Sequence, residues 1–84
     1  MSPLYVNQYV CGELSYDALS RALASYPKDA RRALLASIES TLRNRFVMEV
    51  QAESDGVSLA TTRERLEEAA ALLSRGLNET KEES

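Results

Sequence analysis

The apolar residues of this chain recur at helical spacing, and that period constrains the fold more than any other feature. Tyr16, Leu19, Leu23 and Tyr26 are separated by three, four and three positions, and Leu34, Leu35, Ile38, Leu42 and Phe46 form a second stripe. Leu66, Ala70, Leu73 and Leu77 form a third, narrower one. Such spacings put side chains on one face of an α-helix. Polar residues fall on the other faces, where Asp17–Arg21 and Glu39–Arg43 are i,i+4 pairs in the favourable acid-first order. The expected fold is all-α: three to four amphipathic helices in a single helical domain over residues 1–77. A disordered acidic tail, NETKEES, is expected over 78–84.

Boundary signals divide the stripes. Ser15 is placed to cap the second segment, and Pro27 ends it near Ala24 or Ser25 and can open the next helix. Gly12, Gly56 and Gly76 each follow a periodic segment, as helix C-terminal glycines do. Thr61-Thr62-Arg63-Glu64 has the form of a capping box at the start of the last helix. Two stretches stay open. Residues 4–11 fit a helix after the Ser2-Pro3 cap, yet Leu4, Val6 and Val10 also fit strand alternation. From Phe46 onward one long central helix can continue to about Ala52. Alternatively, Phe46, Met48 and Val50 alternate as a strand in a small 46–60 hairpin turned at Asp55-Gly56, which would make the fold α+β.

A helix from Lys28 to Ala52 would be ~37 Å long at ~1.5 Å per residue. A compact chain of this length has a radius of gyration near ~12 Å. One helix would then span the whole domain, and its far end would need cover. A homodimer is the simplest source, with Leu42, Phe46, Val50, Leu66 and Leu73 at the interface. Small size points the same way, because 84 residues bury a modest core and neither disulfides nor a metal site is available to help.

Composition narrows the chemistry. There is no His and a single Cys, so His-based nucleophilic catalysis, His-ligated metal and Cys-cluster zinc are all excluded within one chain. No glycine lies in a phosphate-cradling motif. Glu64 and Glu68 share a helix face, but it is the face opposite the apolar stripe, where carboxylates are solvated. Neither Lys28 nor Lys81 is placed for desolvation. No enzyme activity, metal or cofactor is expected. No apolar run approaches the ~20 residues that cross a bilayer. The start, Met-Ser-Pro-Leu-Tyr-Val, lacks signal-peptide patterning, so no membrane association and a cytoplasmic location are expected.

The formal charge of −3 averages over an uneven distribution. Lys28, Arg31, Arg32, Arg43 and Arg45 make the middle basic, whereas residues 51–84 hold eight acids against four bases. All four tyrosines lie in the first 26 residues. Tyr16 and Tyr26 fit an apolar stripe, which leaves Tyr5 and Tyr9 for contact with a partner, a role that suits tyrosine. Tyr5, Tyr9, Arg31, Arg32, Arg43 and Arg45 are the candidate partner-binding residues.

Residues 9–35 read YVCGELSYDALSRALASYPKDARRALL. This stretch resembles the helical domain of zinc-binding anti-sigma factors, in which a YVDGELS-type helix end leads into a helix closed by a His-x3-Cys-Pro-x-Cys motif. Aligned through Pro27, the ligand positions fall at Ala22, Tyr26 and Asp29, so the resemblance implies the helical layout and no zinc site. The same GELSYDAL stretch resembles the first turn of transposase-type helix-turn-helix domains, which would give Arg31 and Arg32 to DNA. Taken together, the expectation is a non-enzymatic protein–protein interaction module of bacterial or phage origin. It would bind and inhibit or regulate a larger protein, such as a transcription factor or motor ATPase. A helix-turn-helix-like DNA-binding regulator is the alternative.

Overall fold

The computed structural model describes the backbone of residues 4–83 and the side chains of residues 5–76. Five helices follow one another: α1 Leu4–Val10, α2 Tyr16–Ala24, α3 Lys28–Leu42, α4 Arg45–Asp55 and α5 Leu59–Glu83. Among the described residues there is no strand. The all-α expectation therefore holds, with five helices in place of the three to four expected. The 46–60 hairpin does not form, and residues 4–10 are helix rather than strand. The side chains of Leu77 and of the expected tail, 78–84, lie outside the described residues.

Local signals explain most of the boundaries. Ser15 caps α2, its hydroxyl oxygen accepting from the Ala18 N–H at 3.2 Å. Pro27, with φ −65° and ψ 160°, stands at the N-cap of α3. Gly12 (φ 92°) and Gly56 (φ 72°) take the left-handed conformation that ends α1 and α4. Gly76 differs from the expectation: it lies inside α5 and ends nothing. The start of α5 also differs. Ser58, not Thr61, supplies the cap, its Oγ accepting from the Thr61 N–H at 3.1 Å, so the helix begins two residues early at Leu59.

The long central helix is not continuous. α3 stops at Leu42, Arg43 forms its C-cap, and Asn44 leaves helical geometry at φ −117° and ψ 95°. The Asn44 Oδ1 then accepts from the Val47 N–H at 3.3 Å and opens a new helix. An asparagine cap satisfies one orphan donor of α4, so the chain can turn here without Gly or Pro. The turn brings Met48 and Ala52 into the interior. At 15 residues, α3 is only ~22 Å long. The overhang expected of α3 is absent.

Length is found instead in α5, whose 25 residues span ~37 Å, against 41 Å for the longest dimension of the molecule. Each of the other four helices packs on it. The core is built from Val6 and Val10 of α1, Leu19 and Leu23 of α2, Leu34 and Ile38 of α3, Met48 of α4, and Leu66, Ala69 and Leu73 of α5. Two further contacts tie α1 to α5. Arg65 Nη1 donates to the Val10 carbonyl at 2.7 Å, a cation at a helix C-terminus, and the Tyr9 hydroxyl donates to Glu68 Oε1 at 3.1 Å.

Candidate functional site

Once the five helices have packed, apolar surface remains mainly on α4. Phe46 is 73% exposed, Val50 53% and Val47 40%, and only Tyr5 and Tyr16 join them as exposed large apolar side chains among the described residues. The three lie together because α4 turns Met48 and Ala52 inward, which rotates Phe46 and Val50 outward. They border a groove of about 480 Å³ that also takes in Asn7, Gln51, Ser54 and Asp55. That volume falls within the ~300–1,000 Å³ range of ligand-sized sites.

The groove has chemical polarity along its length. Its middle is apolar. One end is polar: Gln51 Nε2 donates to Asn7 Oδ1 at 3.5 Å, and Asp55 Oδ2 is buried with no hydrogen-bond partner. A buried carboxylate oxygen without a donor is unfavourable by about 1–3 kcal/mol or more, a deficit that an incoming N–H or cation removes. Arg45 lies at the other end of the helix, with Nε 3.0 Å from Glu49 Oε1. Both partners of that pair are largely solvated, so it does little to hold the helix.

The candidate partner residues fall in different places. Tyr9 is buried, contrary to expectation. Its ring packs edge-on against Tyr16 with centroids 6.2 Å apart. Burial, reinforced by the bond to Glu68, pushes its phenol above the ordinary tyrosine value. Tyr5 is exposed but pairs edge-on with Tyr26 at 6.3 Å, so the four tyrosines chiefly fasten α1 and its neighbours. Arg32, Arg43 and Arg45 are exposed, while Arg31 is half-buried against α5. Arg31 and Arg32 stand near the start of α3 and Arg43 at its end, separated by ~17 Å of helix. They do not form one patch.

The residues expected at a dimer interface also separate. Leu66 and Leu73, 3% and 1% exposed, are interior residues of their own chain. Through Leu66, Ala70 and Leu73, the described part of the narrow α5 stripe packs into the core and is not presented outward. Leu42 is half-buried against the same core. Phe46 and Val50 alone of the five face solvent, and Val47, absent from the expectation, joins them. Its signal was weak because Val47 lies off the stripe of fours that runs through Ile38, Leu42 and Phe46.

No protein-family model matches this chain, and no curated protein or solved structure matches it. Among the described residues no group of three or more His, Cys, Asp or Glu could hold a metal ion. No described helix is long and apolar enough to cross a membrane.

Proposed function

We propose that this chain is a non-enzymatic protein-interaction module that binds and regulates a larger bacterial protein, docking a segment of that partner on the outer face of α4. The carrying observation is the contiguous exposure of Phe46, Val47 and Val50 on one short helix. Scattered exposed apolar residues are ordinary, but a contiguous patch marks an interaction surface. The groove's chemistry favours one kind of occupant. Apolar side chains would fill the middle, and a Lys or Arg would pair with the half-buried Asp55 carboxylate at the groove's edge. The basic end at Arg43 and Arg45 would receive an acid about 15 Å away, ten residues along the helix at ~1.5 Å each. Burial of Phe46 supplies affinity, and the charges fix direction and speed association.

The test is peptide display against the immobilised protein, with Phe46→Asp and Asp55→Asn run in parallel. Selected sequences should share an apolar core with a basic residue at one end, and binding should vanish with F46D. With D55N the basic preference should disappear while apolar binding persists. Equal enrichment by wild type and F46D would overturn the proposal. Light scattering separates a further outcome: a Phe46-dependent dimer would make the occupant a second copy of the chain and overturn the larger partner.

A further inference from the structure

A second concave site lies away from α4. Ser20 of α2, Arg31 of α3, and Arg75 and Gly76 of α5 open onto a cleft of about 250 Å³ whose walls include Leu23 and Leu72. Among the described residues, none that lines it is acidic. Two arginines thus line one small space with no carboxylate among its described lining, an arrangement that favours an anion. Arg31 is the more committed of the two. Its Nε is buried with no hydrogen-bond partner, and an isolated buried donor is costly.

Gly76 lies close against Arg31. A Cβ at this position would stand 3.0 Å from Arg31 Nη1, so an added side chain would make the guanidinium shift by a few tenths of an ångström. Glycine inside a helix lowers its stability relative to alanine. A helix-weakening residue and an unsatisfied buried donor therefore meet in the same cleft, and an anion satisfies the donor.

We propose that this cleft binds a small phosphate-type oxyanion. The volume lies below the ~300 Å³ at which drug-sized ligand pockets begin. Arginine's planar fork matches phosphate and carboxylate oxygens alike. Donors arriving from three helices favour the tetrahedral ion, because a planar carboxylate has two oxygens to share among them. The site uses no residue of α4 and stands or falls independently of partner docking.

The experiment is titration of the full chain with inorganic phosphate at constant ionic strength, read by nitrogen-correlated NMR at the Arg31 Nε–H and the Gly76 amide. Saturable shifts at both are expected. Arg75 is exposed, so Arg75→Gln should leave the fold intact and weaken binding about tenfold or more, as loss of a charge-assisted bond does. Arg31→Gln should abolish the shift, and R75Q decides the matter if that variant fails to fold. Acetate should bind more weakly than phosphate. Shifts that never saturate, wild-type affinity in R75Q, or equal affinity for acetate would each overturn the proposal.

Discussion

Leu73→Ala and Phe46→Ser test the division between core and docking face, because both are large apolar residues with opposite environments. Leu73 is 1% exposed and packs in the central cluster, so its truncation loses transfer energy and leaves a cavity. Leucine-to-alanine changes in such positions cost about 2–5 kcal/mol. A chain of 84 residues has a total stability on the order of 4–13 kcal/mol, from roughly 0.05–0.15 kcal/mol per residue. With about 4–8 °C lost per kcal/mol, a cost near ~3 kcal/mol lowers Tm by roughly 12–24 °C. Phe46 is only about one-quarter covered. Taking ~1.5–3 kcal/mol for full burial, its loss costs under ~1 kcal/mol. Urea unfolding followed by circular dichroism, at low and high micromolar protein, measures both. The midpoint of L73A should fall sharply at either concentration, and that of F46S should barely move. A nearly neutral L73A would place Leu73 outside the core, and a loss seen only at the concentration where the wild-type midpoint rises would make it an intersubunit contact; either result refutes packing within one chain.

Asn44→Ala removes the side-chain cap of α4 and should cost about 1 kcal/mol, or roughly 4–8 °C in Tm; an unchanged melt would mean that the α3–α4 break has another cause. Thr62 is fully buried with its Oγ1 unpartnered, so Thr62→Val should stabilise by about 1 kcal/mol or more, and destabilisation on denaturant unfolding would reveal a hidden partner. Tyr9 has a raised folded-state pKa, first from burial and then from Glu68, so the stability it contributes is complete below its unfolded value of about 10 and lost as pH rises through the folded one. Tyr9→Phe should abolish that part of the alkaline loss, and a wild-type-minus-variant difference that stays flat from neutral to strongly alkaline pH would refute it.

Elements whose signals are local were legible in the sequence. Ser15, Pro27, Gly12 and Gly56 act through their own backbone and nearest neighbours, and each sits at the boundary its chemistry implies. What escaped was decided by distant residues. Gly76 has the same local context as a terminating glycine, and only Arg31, on another helix, makes it a point of close approach. Tyr9 finds its acceptor in Glu68, 59 positions away, so its face could not be assigned from the first segment alone. Leu66 and Leu73 form a stripe that serves equally for packing within a chain or between chains. Short helices folding back onto α5 settled it inward.

The break at Asn44 links the illegible part of the fold to the proposed function. Ile38, Leu42, Phe46 and Val50 are each four apart, so in a continuous helix all four would lie along one core-facing row. The interior instead takes Met48 and Ala52, two positions on, which is about 200° around a helix of 3.6 residues per turn. The apparent strand alternation of Phe46, Met48 and Val50 was this same two-sidedness: α4 carries an inward apolar row and an outward one. A solvated helix needs only the first. The second contributes little packing within its own chain, and its exposed area gains from burial only when another surface covers it. Affinity is therefore to be sought on α4, and Arg43 and Arg45, beside its first turn, are left to orient what binds there.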